Sequence, residues 1–197
     1  MIPFSRHKVS KSDIQSVVKV LKSQYLTTGP QVPLFETELK KNTKAKFVFA
    51  CNSGSSALHL ACMALNLKKN DIVWTTPNTY AASANCVLNC GAKIDFVDID
   101  KNTWNICLEN LEKKLKIAKK RKKLPKAIIP IHFGGLPSEQ VKIKALSKKY
   151  KFKIIEDASH SLGAYNHNEP VGSCKWSDLT VFSFHPVKII TTGEGGA

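Results

Sequence analysis

The chain lacks the cysteine spacing and the long apolar runs that mark several classes of protein. Its six cysteines contain no C-x-x-C pair, and most of them lie in apolar stretches. This pattern indicates small core residues in a reducing compartment rather than disulfides or zinc ligands. The N-terminal stretch MIPFSRHKVS is not apolar enough for a signal peptide, and no segment reaches the ~18 consecutive apolar residues of a membrane helix. We therefore expect a cytoplasmic protein with no metal centre and no membrane contact.

Acidic residues are scarce relative to basic ones. The sequence has 15 Asp and Glu against 30 Lys and Arg, which gives a formal net charge of +15. Such an excess can attract nucleic acid, anionic lipid or an anionic small substrate. The densest basic cluster, residues 113–126, shows no zinc-finger spacing, no RNP-like aromatic pattern and no heptads. We interpret it as a solvated helix end and loop and expect no nucleic-acid partner, although a basic nucleic-acid-binding module is the alternative that charge alone favours.

Repeats and low-complexity linkers are also missing, and strand-like runs alternate with helix-like runs. The predicted strands are KFVFACNS, DIVWTT, KIDFVDID, KAIIPIHF, KFKIIEDAS and LTVFSF. This alternation, with several strands apolar throughout, predicts an α/β fold in which a mostly parallel sheet carries helices on both faces, a three-layer sandwich. A separate amphipathic helix, SDIQSVVKVLKSQ, is predicted outside the sheet.

Open parallel sheets bind ligands beyond the carboxyl ends of their strands. Five segments follow predicted strand ends and could converge on one pocket: Asn52–Ser56, Thr76–Tyr80, His132–Gly135, Asp157–His160 and Ser183–Lys188.

Three of these loops carry residues that could either bind a ligand or have an ordinary structural role. Gly54 and Ser55 begin a helix, where free N–H groups make either an anion site or an ordinary helix cap. Asp157 follows a buried strand and could hold a protonated heterocycle nitrogen or cap the next turn. Lys188 could have a lowered pKa and form a Schiff base, or could be a surface lysine. Taken together, a phosphate site, an aspartate and a Schiff-base lysine are what pyridoxal phosphate requires.

Five motifs resemble those of the DegT/DnrJ/EryC1/StrS sugar aminotransferases: NSGSSALHLA, TTPNTYAASANCVL, GAKIDFVDID, IIEDASHSLGA and VFSFHPVKIITTGEGGA. Their order and spacing also match, from about Phe4 to the last residue. The resemblance implies a fold-type-I pyridoxal-phosphate enzyme that acts on nucleotide-linked keto-sugars. SFHPVK and YLTTGP are most similar to the branch that aminates C4 of a UDP-linked 4-keto-6-deoxy-N-acetylhexosamine on the way to pseudaminic acid.

The resemblance also implies a role for each residue around the cofactor. Lys188 would bind the cofactor as a Schiff base and act as the general base of the proton shift. Asp157 would pair with the pyridine nitrogen, Tyr80 would stack on the ring, and His160 would support the cofactor beside Asp157. The cofactor phosphate would be bound by Gly54, Ser55 and Ser183, with Ser56 close by.

Two further segments are assigned by the same resemblance. Thr27, Thr28 and Gly29 resemble a loop that meets the sugar nucleotide. His185 either takes part in the site or only shapes its loop. The lysine at 188 argues against the sugar dehydratases of the family, which place histidine there.

The resemblance implies a domain arrangement and partners as well. Residues 1–30 would form an N-terminal helical segment and substrate loop, and residues 31–197 an aspartate-aminotransferase-like large domain that binds the cofactor. Family members are about twice as long and carry a small C-terminal domain, so we expect this chain to be truncated. A full-length enzyme would be a homodimer that takes its amino group from L-glutamate, and a non-catalytic, cofactor-binding remnant is the alternative.

Overall fold

The computed structural model describes Ile2 and residues 6–197. Phe4, where the resemblance to the family motifs begins, lies outside the described residues, as do the other positions of the predicted N-terminal segment at 1, 3 and 5. In the described part of the chain, no helix is both long and apolar enough to cross a membrane.

A five-stranded parallel sheet forms the centre of the fold. The strands of the described residues, including two outside this sheet, are β1 Ile72–Thr75, β2 Lys93–Phe96, β3 Ala127–Ile128, β4 Lys153–Asp157, β5 Tyr165–Asn166, β6 Glu169–Pro170 and β7 Leu179–Val181. The sheet order is β2-β1-β3-β4-β7, and every neighbouring pair is parallel. β5 and β6 form a separate antiparallel hairpin. All carboxyl ends of the five-stranded sheet therefore lie at one edge.

The described residues contain six α-helices: α1 Lys11–Leu21, α2 Gln31–Thr43, α3 Gly54–Ala64, α4 Ala82–Asn89, α5 Leu108–Lys120 and α6 Gln140–Tyr150. Local signals fix several of their ends. Ser10 and Asp13 form a capping box at the start of α1. Ser53 caps α3 by accepting the N–H of Ser56. Gly91, just beyond α4, has a φ of +72°, a left-handed conformation that glycine adopts readily at the C-terminal end of a helix.

The two faces of the sheet carry different helices, as predicted for a three-layer sandwich. α3 and α4 cover one face and bury the side chains of Leu58, Cys62, Val87, Val73, Ile129 and Ile155. α5 and α6 cover the other face and bury those of Leu111, Leu115, Ile143, Trp74, Ile128 and Ile154. Successive residues of one strand, such as Ile154 and Ile155, therefore point to opposite faces of the sheet and enter different cores.

The structure differs from the prediction at three elements. Residues 46–50 form no strand, and Cys51 makes only an isolated antiparallel bridge to Gly196. This stretch has the side chains of a strand, but no strand among the described residues pairs with it, and Phe47 and Phe49 are exposed. Sequence reasoning also missed α2, whose apolar residues are sparse. The strand KAIIPIHF is shorter than predicted, in keeping with Pro130, which cannot donate to a ladder.

The N-terminal helix lies outside the core, as predicted. None of the residues of α1 is buried, and the side chains of Ile14, Val17 and Leu21 are exposed. The boundary at residues 30 and 31 stays a prediction.

Candidate active site

A cavity of about 720 Å³ opens at the carboxyl edge of the sheet. All five predicted loops contribute to its wall, through Ser53, Gly54, Ser55, Thr79, Tyr80, His132, Phe133, Gly134, Asp157, Ser159, His160, Ser183, His185, Val187 and Lys188. The convergence expected from a parallel sheet is therefore confirmed.

The N-terminus of α3 forms one wall of this cavity. The hydroxyl of Ser53 accepts the N–H of Ser56 at 3.1 Å, whereas the first N–H groups of a helix have no partner within the helix. Gly54 is buried, and a Cβ on it would lie 2.8 Å from the Cβ of Ser183. The helix can therefore approach the strand-end serine only because position 54 has no side chain. The resulting wall combines backbone donors with the hydroxyls of Ser55 and Ser183.

We predict that Gly54→Ala destabilises the chain by about 1–3 kcal/mol, the usual cost of overpacking. The added methyl group would have to displace Ser183 or the start of α3. Urea unfolding measures the effect, and Ser183→Gly offers a matched control because it removes the Cβ that the alanine meets. The double variant should recover part of the lost stability. An unfolding midpoint of Gly54→Ala equal to that of the parent chain would contradict this close packing.

Asp157 lies at the end of β4 and is only 6% exposed. The hydroxyl of Ser83 donates to its Oδ2 at 2.7 Å, and the hydroxyl and N–H of Ser159 donate to its Oδ1 at 2.7 and 3.2 Å. The Ser83 hydroxyl is itself 2.8 Å from that of Thr79. Within residues 6–197, no cationic side chain forms an ion pair with this carboxylate. It is thus a buried, oriented anion that faces the cavity.

Lys188 and His160 meet at the wall of the same cavity. The Nζ of Lys188 lies 2.7 Å from the Nε2 of His160, and both side chains are half-buried. Burial lowers the pKa of Lys188 below the usual lysine value, and the negative charge of Asp157 acts in the opposite sense. Burial and the charge of Lys188 also lower the pKa of His160. A larger share of Lys188 is therefore neutral near pH 7 than of a surface lysine.

The turn that carries Lys188 is built by its neighbours. The N–H of Lys188 donates to the carbonyl oxygen of His185 at 2.9 Å. The His185 ring accepts the N–H of Val187 at 3.4 Å and lies 3.9 Å from the carboxylate of Glu194. These contacts agree with a loop-shaping role for His185, although its side chain also borders the cavity.

Not every predicted site residue borders the cavity. Tyr80 does, and its ring is 79% exposed. The Ser56 hydroxyl instead accepts a hydrogen bond from Ser53 inside the helix cap. Thr27 and Thr28 are exposed and Gly29 is half-buried, and none of the three lines the cavity. Their role in substrate binding stays a prediction.

Sequence reasoning missed the two serines that orient Asp157. Ser159 follows Asp157 by two residues, a spacing typical of side-chain turns, so it could have been found. Ser83 reaches the carboxylate only because α4 packs against the sheet, and no local pattern marks it.

Comparison with known proteins gives this site a context. The family model described as "DegT/DnrJ/EryC1/StrS aminotransferase family" matches residues 7–197. A UDP-4-amino-4,6-dideoxy-N-acetyl-beta-L-altrosamine transaminase from Campylobacter jejuni is 46% identical over 197 residues, which are 100% of this chain and 50% of the relative. The chain therefore spans about half the length of the curated relatives it matches.

Solved structures give the same picture. The putative sugar aminotransferase Spr1654 from Streptococcus pneumoniae in its PLP-form has a TM-score of 0.89 and 30% identity, covering 99% of this chain and 52% of that one. Helicobacter pylori PseC, described as an aminotransferase involved in the biosynthesis of pseudoaminic acid, has a TM-score of 0.88 and 33% identity, covering 98% and 50%. The fold seen here is thus that of solved sugar aminotransferases.

Proposed function

The chain belongs to the DegT/DnrJ/EryC1/StrS aminotransferase family, and on that premise we propose that its cavity binds pyridoxal phosphate in an enzyme that aminates a nucleotide-linked keto-sugar. One observation carries the proposal. The cavity brings together the N-terminus of α3, the buried carboxylate of Asp157 and the half-buried amine of Lys188. These three features recognise the phosphate, the ring nitrogen and the carbonyl carbon of that cofactor.

The residues present fit the cofactor. Helix N-termini bind phosphate through free N–H groups and the helix dipole, and the absence of a side chain at Gly54 lets Ser183 add its hydroxyl to that wall. Asp157 accepts only from hydroxyl and N–H donors, so its negative charge remains available to a cation such as a protonated pyridine nitrogen. A half-buried lysine with a lowered pKa can attack a carbonyl carbon.

When bound, the cofactor serves as an electron sink for the carbanion formed during amino transfer. The residues of the chain supply the remaining functions. Asp157 would hold a proton on the ring nitrogen, and Ser83 and Ser159 keep its carboxylate in place. Lys188 would hold the cofactor through Nζ and would move the proton as general base. The Nε2 of His160 lies within hydrogen-bond distance of that Nζ, at 2.7 Å, and would orient the amine. Tyr80, which borders the cavity and is 79% exposed, would cover the cofactor ring.

The substrate is inferred from the relatives. The C. jejuni relative is named as a transaminase of a UDP-linked 4-amino sugar, which supports C4 of a UDP-linked 4-keto-6-deoxy-N-acetylhexosamine as the acceptor, as in pseudaminic acid biosynthesis. We further propose L-glutamate as the donor, a homodimer as the assembly and the cytoplasm as the location. In this scheme Thr27, Thr28 and Gly29 contact the sugar nucleotide.

The test separates cofactor binding from turnover. The chain is mixed with pyridoxal phosphate and desalted, and its visible absorbance is recorded before and after L-glutamate and then the UDP-linked keto-sugar. Retained colour that glutamate bleaches and the sugar restores is the result expected of the enzyme. Colour that neither reagent changes would identify a non-catalytic, cofactor-binding unit. A colourless chain would overturn the proposal.

A further inference from the structure

We propose that the stacked rings of Trp104 and Phe133 form a platform at the rim of the cavity that binds the planar base of the nucleotide-linked substrate. The inference rests on the proposed function, because it assigns one part of that substrate to a place on the protein. It concerns residues outside the motifs that mark the cofactor site.

The two rings form a parallel stack that remains open to solvent. Their centroids lie 5.8 Å apart and their planes differ by 16°, an offset arrangement that aromatic pairs favour. Trp104 is 51% exposed and Phe133 is 38% exposed. Phe133 lines the cavity, whereas Trp104 lies outside its lining. The stack therefore runs from the cavity wall outward, with ring surface left for a further planar group.

The platform is held by hydrogen bonds rather than by burial of the rings. Asn105, only 4% exposed, accepts the N–H of Phe133 on Oδ1 at 2.9 Å and donates from Nδ2 to the carbonyl oxygen of Leu136 at 3.0 Å. The N–H of Trp104 donates to the carbonyl oxygen of Asp100 at 2.8 Å. These bonds join the loop before α5 to the turn at the cavity rim, so the rings are oriented in advance.

The backbone at Trp104 is strained. Its φ is +63°, a left-handed conformation that costs energy for a bulky residue. Core packing does not explain it, because half of the side chain is exposed. A strained, exposed aromatic beside a cavity is typical of a ligand site.

A base suits this platform better than the sugar does. Amino transfer requires the keto carbon of the sugar to lie near Lys188, which lines the cavity, so the diphosphate and then the base extend away from that amine. Every nucleotide base has an aromatic face, and stacking of that face on a protein ring contributes about 1–3 kcal/mol. The rim is where such a face would arrive.

The experiment compares UDP with pyrophosphate by isothermal titration of the 197-residue chain. Trp104→Ala should weaken UDP binding by about 5- to 150-fold, the equivalent of one lost stacking contact, and should leave pyrophosphate binding unchanged. Phe133→Leu, which keeps apolar volume but removes the ring, should weaken UDP in the same direction. Trp104→Phe should retain most of the affinity.

Tyr165→Ala is the matched control, because it removes an exposed ring on the β5–β6 hairpin that does not line the cavity. It should bind UDP like the parent chain. Circular dichroism checks folding, and Phe133→Leu decides the matter if Trp104→Ala is unfolded. A parent chain that does not bind UDP, or ring-deleted variants that bind it unchanged, would overturn the platform. Cofactor capture is measured separately, and its failure would count against the proposed function instead.

Discussion

Lys188→Ala should abolish covalent capture of pyridoxal phosphate. The parent chain, treated with the cofactor and then with borohydride, should carry a stable label on Lys188, and the variant should carry none above background. The expectation follows from the position of this amine: it borders the cavity, it is half-buried, and burial lowers its pKa. Mass spectrometry of peptides from the reduced protein locates the label.

The pH dependence of this reaction has a definite direction. Attack on a carbonyl requires the neutral amine, so the labelling rate should rise with pH and should reach half its maximum below the usual lysine pKa. Lys175→Ala is the control, because that lysine is exposed and paired with Glu169 outside the cavity. It should label like the parent chain. A label found on another lysine would show that the assignment of Lys188 is wrong.

The sequence predicted the sheet and the convergence of its loops because those depend on local patterns. Strands that are apolar throughout, separated by helices, predict a parallel sheet, and a parallel sheet places the end of β4 and the segment after β7, with Asp157 and Lys188, at one edge. Gly54 reaches the same edge although the stretch before it forms no strand. Several of the residues that the resemblance assigns to the cofactor do line one cavity, and their roles stay predictions. The parity of β4 shows why this works: Ile155 and Asp157 share one face, so the strand that anchors the core also aims the carboxylate.

What the sequence could not show are the contacts between elements distant in the chain. Ser83 and Asp157 are 74 residues apart, and their hydrogen bond follows from the packing of α4 on the sheet. The stack of Trp104 on Phe133 requires two loops to meet, which no periodicity encodes. The stretch around Phe47 gave the opposite error, since β-forming side chains suggested a strand where none of the described strands pairs with it.

The charge of Asp157 is the feature on which the proposed chemistry depends most. Breaking a buried ion pair costs about 3–5 kcal/mol, which corresponds to at least roughly a hundredfold in affinity or rate. We therefore expect Asp157→Asn to weaken the binding of pyridoxal phosphate and to slow the colour change with L-glutamate by about that factor. Fluorescence titration gives the affinity, and stopped-flow absorbance gives the rate.

The same variant should leave the free energy of unfolding of the cofactor-free chain nearly unchanged. Asparagine keeps the shape of the side chain: its Oδ1 can accept from Ser159, and its Nδ2 can donate to the hydroxyl of Ser83, which is free to rotate. It also removes a buried charge that has no cationic partner within residues 6–197, and such a charge carries a desolvation cost.

Asp71→Asn is the control for charge alone, because Asp71 pairs with Lys126 away from the cavity, and it should bind the cofactor normally. If Asp157→Asn bound the cofactor and reacted with glutamate like the parent chain, the carboxylate would have no role at the ring nitrogen, and its burial among Ser83 and Ser159 would have to serve the fold instead.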